Sequence, residues 1–209
     1  MSFNLRYTLA RLRLGIEEAL SQLTTSTASV PEAISKGMET YNKQLTAMMS
    51  LTGAAMLPTL NASTSTESSN SPVVDSLLLR VLPRASSRQV FTGDVVAFNS
   101  PLSQQPEHSV LVRRVAASEG DEMVSDHADD QPFSLPEGHC WVLADNDELQ
   151  PAEAIDSRSF GPLPFSNIIG RVMYRARSAT DHGAIDNSAA AQAADLPVLE
   201  SELDIDKLT

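Results

Sequence analysis

Between Val73 and Arg177 the apolar residues come in short runs, "VVDSLLLRVLP", "GDVVAFNSP", "HSVLVRRVAA", "CWVLAD" and "IIGRVMYRAR", separated by Gly, Pro, Asn and Asp at hairpin-like intervals. Runs this short suit strands rather than helices, and turn residues at this spacing leave little room for helical crossovers. The pattern predicts a mainly β domain, placed at residues 49–177.

The sequence ahead of it has a different period. "MSFNLRYTLARLRLGIEEALSQL" sets Leu5, Leu9, Leu12, Ile16 and Leu23 at alternating four- and three-residue steps with Ala19 in the gap, a helix with a heptad-like apolar seam. Its first turns carry Arg6, Arg11 and Arg13 without an acid, as organellar presequences do, whereas Glu17 and Glu18 follow on the same helix. The segment reads either as a targeting signal or as an amphipathic helix that packs on the domain or a partner. "TTSTASVPEA" breaks it, and "PEAISKGMETYNKQLTAMMSL" reads as a second, weaker helix opened by Ser29 or Pro31. Residues 1–48 are thus expected to form an N-terminal helical segment. "ASTSTESSNSP" (62–72) reads as a mobile polar loop, and residues 178–209 as an acidic tail, flexible or docked on a partner.

Composition removes several function classes. A formal charge of -12 on 209 residues argues against nucleic acid, whose phosphates need clustered Lys and Arg. One cysteine, Cys140, excludes an intramolecular disulfide, and His108, His127, His139 and His182 lack zinc-ligand spacing, so no metal and no cofactor is expected. No run reaches the ~18 apolar residues of a spanning helix. The charge-free stretch 44–61 is broken by Gly53 and Pro58, so it could touch a membrane without crossing it.

Four segments in order carry a resemblance: "GAAMLPTL" (53–60), "TGDVVAFNSP" (92–101), "VRRVAASEGD" (112–121) and "GHCWVLADN" through "DSRSFGPLP" (138–164). They resemble the GxSMxPTL, RGDVVVF, KRVVGxxGD and GDNxxxSxDSRxFG segments of the type I signal peptidases, the S26 family. "PEGHCWVL" and "SRSFGPLP" lean towards its mitochondrial inner-membrane branch. The resemblance implies a coiled β-fold of twisted antiparallel sheets, signal-peptidase- and LexA-like, preceded by amphipathic helices. A LexA-like repressor is disfavoured by the charge and by the lack of a helix-turn-helix.

The family's chemistry is a Ser attacking a peptide carbonyl while a neutral Lys takes its proton. The resemblance places Ala55 at the Ser, Arg113 at the Lys and Ala154 at a second Ser that orients the Lys, with a longer interval from Asn146 to Asp156. Alanine has no oxygen to acylate. Burial can neutralise a Lys, whereas Arg stays protonated and offers only donors. The resemblance assigns Gly93, Asp94, Arg114, Asp145, Asn146, Asp156, Ser157 and Arg158 to the scaffold, with an ion pair and turn at the DSR box. Met56, Pro58 and Thr59 either shape a groove for a substrate strand or preserve the fold. Cys140, in an apolar strand, reads as a small hydrophobe with a raised pKa. Glu137 and His139 read as turn residues, and "DHADD" (126–130) as a solvated loop without the EF-hand pattern.

These expectations converge on a pseudopeptidase serving as a structural or adaptor subunit of an organellar membrane assembly, similar to plant and algal signal-peptidase-like proteins lacking the Ser-Lys pair. Its partners would be proteins of a membrane-associated complex, with a peptide in the vestigial cleft as a further option. The expected place is the mitochondrion, peripheral to the inner membrane, with the chloroplast as alternative. The competing reading is a presequence-processing endopeptidase, or the inactive partner of one.

Overall fold

A computed structural model describes residues 4–25, 29–61, 74–103, 109–124 and 131–202. The chain divides into two compact units: Ala47–Ala193, which is the β unit, and Met1–Thr46 with Ala194–Thr209, which is helical.

The β unit holds β1 (Thr46–Leu51), β2 (Asp75–Val81), β3 (Val95–Asn99), β4 (Val110–Ser118), β5 (Glu122–Met123), β6 (Phe133–Ser134), β7 (His139–Leu143), β8 (Leu163–Pro164), β9 (Ile168–Ala176) and β10 (His182–Ala184). The main sheet runs β1-β2-β9-β3-β4-β7-β8, with β10 also on β9 and β5-β6 a separate hairpin. β3 explains why its sequence is an unbroken apolar run. Val95 and Ala97 enter one core cluster with Met56, Leu60 and Val172, and Val96 and Phe98 enter another with Val142, Leu163 and Ile168. Alternate residues thus fill opposite faces, both covered. Register shifts at Leu78/Leu79, Ala97/Phe98 and Val115/Ala117 bend the ladder. The result is a curled antiparallel sheet, the mainly β fold expected. Close approach of β2 and β9 needs Gly170, where a Cβ would lie 2.4 Å from the Arg80 carbonyl oxygen.

In the helical unit, α1 (Leu5–Thr25) packs on α2 (Val30–Asn42), which Ser29, Pro31 and Glu32 start through a capping box. Gly15 and Gly37 make the crossing tight: a Cβ on either would come within 2.8 Å or 2.6 Å of the other's carbonyl oxygen. The second helix is shorter than its sequence pattern suggested, and "TAMMSL" is strand β1. The helix stops at Lys43, which turns extended. The next amides, Leu45 N and Thr46 N, donate instead to the Glu202 carboxylate at 2.7 and 2.9 Å.

Glu202 ends α5 (Ala189–Glu202), so the stretch expected to be an acidic tail, flexible or docked on a partner, holds a strand and a helix. Val198 of this helix joins Leu14 and Leu45 in a small buried cluster, and Tyr7 donates to Glu202 at 2.7 Å. The polar loop 62–72, His108, "DHADD" and residues 203–209 lie outside the described residues.

Candidate functional site

The turn after β1 carries the first motif. Met56 and Leu60 sink into the core and fix the turn from below, the Leu57–Pro58 bond is cis, and Asn61 closes it at φ 57°. Asn61 takes that left-handed conformation while bonding on both sides: its amide donates to buried Asp75 at 2.6 Å, and its side chain donates to the Gly53 carbonyl at 2.9 Å. Ala55 joins its surroundings through its carbonyl, which accepts from Asn146 N at 3.0 Å, while Asn146 Nδ2 donates to the Ala54 carbonyl at 3.0 Å.

Arg114 gathers all four segments. Its Nε and Nη2 donate to the two Asp145 oxygens at 2.9 and 2.8 Å, its Nη1 donates to the Gly93 carbonyl at 2.8 Å and to the Asp186 carbonyl at 3.0 Å, and Thr59 Oγ1 donates to the same Asp145 at 2.6 Å. A planar guanidinium is suited to this bidentate hold.

One residue earlier on β4, and so on the other face, Arg113 is 5% exposed. Its Nε donates to the Ala154 carbonyl at 3.0 Å, its Nη2 donates to the same oxygen, and its Nη1 donates to the Val112 carbonyl at 2.5 Å. Burial lowers its pKa from the ordinary guanidinium value, opposed by the charge of Asp156. Residues 113 and 154, paired by the resemblance, do meet here, through the backbone of 154. Ala55 is not among the hydrogen-bond partners of Arg113. Ala154 ends the short helix α3 (Pro151–Ala154), formed within the long interval, and Ile155 then reverses the chain at φ 47°.

Asp156 caps α4 (Ser157–Phe160), accepting from Arg158 N at 3.0 Å and from Ala144 N at 3.0 Å, and Arg158 Nη2 closes on it at 2.7 Å. Ser157 Oγ accepts from Val142 N at 2.9 Å. Burial pushes the Asp156 pKa up, yet the Arg158 guanidinium and the two amides outweigh it, so the carboxyl is held below its usual range. Asp94 is buried and paired with Arg171 at 2.9 Å. It also accepts from Ser188 N at 3.0 Å and Ser188 Oγ at 2.7 Å. Beside it Asn187 Oδ1 accepts from Val95 N at 2.8 Å, and Asn187 Nδ2 donates to the Val172 carbonyl at 2.7 Å.

Sequence reasoning did not single out Arg171, Asn187 or Ser188. The signal for Arg171 was a charge inside an apolar run, which requires a buried partner. For Asn187 and Ser188, in a polar stretch, there was none.

Cys140 is buried and its thiol is pushed up to about 12 by that burial. His139 Nδ1 lies 2.9 Å from the Glu137 carbonyl oxygen. Among the described residues no His, Cys, Asp and Glu group is placed to hold a metal, and no helix is long and apolar enough to cross a membrane.

No protein-family model matches the chain. Curated relatives do. The chain is 42% identical over 168 residues to mitochondrial ATP-independent inner membrane protease subunit 2 of Arabidopsis thaliana, across 80% of this chain and 75% of that protein. It is 34% identical over 99 residues to mitochondrial inner membrane protease subunit 1 of Mus musculus, across 46% of this chain and 55% of that protein. It is also 31% identical over 115 residues to the chloroplastic thylakoidal processing peptidase 1 of Arabidopsis thaliana, across 42% and 33%. Motif order, curled antiparallel sheet and the extent of the first match agree, and the chain belongs to the type I signal peptidase (S26) family, with the mitochondrial inner membrane protease subunits.

Proposed function

We propose that this protein is a catalytically degenerate member of its family, retained as a structural or adaptor subunit of an assembly at the mitochondrial inner membrane. The observation that carries the reading is Arg113. Where the family needs an amine that can lose its proton, the chain has a buried guanidinium whose donors are engaged by the carbonyls of Ala154 and Val112. No hydroxyl stands at residue 55 to be activated or at residue 154 to orient a base. The other motif residues are occupied with structure: Arg114 and Asp145 tie the segments together, and Asp156, Ser157 and Arg158 brace β7. Met56, Pro58 and Thr59 then keep the turn in place, and a groove for a peptide strand is the second use they could serve.

The mitochondrial placement follows the names of the relatives, and partners in a complex follow their description as subunits. Those same names support the competing reading, a presequence-processing endopeptidase or the inactive half of one. Incubation of the purified protein with a hydrolysable presequence peptide distinguishes the proposal from an active endopeptidase. Cleavage at the buffer blank is expected. Turnover that survives repurification and disappears on unfolding overturns the proposal.

A further inference from the structure

The apolar seam of α1 faces outward. Leu5, Leu9, Leu12, Ile16, Leu20 and Leu23 are each 43% to 58% exposed, while the buried positions of the helix are Leu14 and Gly15. The side turned to α2 is built from small residues and a cation: Gly15 and Ala19 lie against Gly37, and Arg11 Nε donates to the Tyr41 carbonyl at 2.5 Å, its guanidinium 4.8 Å from the Tyr41 ring centre. At about 100° per residue, Arg11 and Leu14 sit roughly 140–160° around the helix from Leu9 and Ile16. A helix that served only its own unit would bury its apolar seam. This one leaves the seam exposed and half-buries Arg11 against α2.

The seam's shape and edges say what covers it. Its steps of four and three place Leu9, Ile16 and Leu23 at one heptad core position and Leu5, Leu12 and Ala19 at the other. One edge carries Thr8, Gly15 and Gln22, and Gly15 lies against α2. The open edge carries Arg6, Arg13 and Leu20. Neither edge has an acid. A second copy of this chain would bring another set of arginines and nothing to pair them. A bilayer is a poor match, since the apolar strip is narrow, has no Trp or Tyr, and sits on a helix with Glu17 and Glu18 in a chain of charge -12. We propose that α1 docks a helix of a different protein, one whose apolar seam is bordered by acidic residues opposite Arg6 and Arg13. Arg13 holds Glu17 at 2.6 Å within its own helix, an exposed pair that a partner carboxylate can replace. This proposal concerns the helical unit, and it stands whether or not the β unit cleaves peptides.

The test uses the full chain and two synthetic helical peptides of three heptads, both with Leu at the core positions, one with Glu and one with Lys at the edges. The Glu peptide is expected to bind about tenfold or more tightly than the Lys peptide by fluorescence anisotropy, with the difference shrinking as salt is raised. Leu12→Ser with Ile16→Ser abolishes binding, with helicity checked by circular dichroism. Arg6→Glu with Arg13→Glu, which leaves the seam intact, reverses the preference. Equal binding of the two peptides, or none, overturns the proposal. So does concentration-dependent dimerisation, or flotation with phosphatidylcholine–cardiolipin vesicles, that Leu12→Ser with Ile16→Ser removes.

Discussion

A single β4 register separates two arginines with different fates: Arg114 reaches Asp145 beside the first turn, and Arg113 points into the core towards Ala154. Ala55→Ser alone is therefore expected to leave presequence cleavage at the blank, because a new hydroxyl gains no proton acceptor. Measurable turnover in that variant would show the base lies elsewhere. Asp94→Ala removes one partner of a fully buried pair and is expected to cost about 3–5 kcal/mol in urea unfolding. Asp156 gives a pH signature. Its folded carboxyl is held below the unfolded value of about 4, so its stabilisation is complete above that pH and is lost as pH falls through the lower, folded value. Asp156→Asn should lower stability by about 1–3 kcal/mol at pH 7, and the gap to the unaltered protein should narrow as pH falls through the lowered folded value. At this scale the sequence exposed the motif residues, because they recur in a fixed order. It could not expose Asn187 or Ser188, whose roles depend on where the chain returns.

Among the elements, the strands were legible since period and turn chemistry are local properties. The helical hairpin was legible only in part: the seam on α1 was visible, but the side facing α2 was not, because a glycine contact leaves no apolar period. Gly37→Ala tests that contact. Alanine favours an isolated helix by about 1 kcal/mol over glycine, yet its Cβ would lie 2.6 Å from the Gly15 carbonyl oxygen and 3.0 Å from Ala19 Cβ. The expected outcome is a net loss of about 1–3 kcal/mol, read as faster amide exchange in α1 and α2. The pattern of β1 resembles a helix because its alternation is weak and its start is fixed by Glu202, a residue 156 positions away.

For the whole molecule, the strand and helix within the acidic ending are not legible in the sequence, because polar composition records solvation and not long-range pairing. Its first part completes the β unit at Asp94 and Val95, and its last described residue caps the chain at Leu45 and Thr46. A chain ending at Asp186 should lose stability by about 2–4 kcal/mol, since Val95 N and the Asp94 carboxylate lose buried partners; unchanged unfolding of the shortened protein would refute that role. The same stitch sets a schedule for assembly. β3 leaves the ribosome with its first amide unpaired, and Asn187 follows 92 residues later, roughly 5–20 s at ordinary synthesis rates. Until then the central strand is an open hydrogen-bonding end available to chaperones, and a chain cut short anywhere before residue 187 keeps it open.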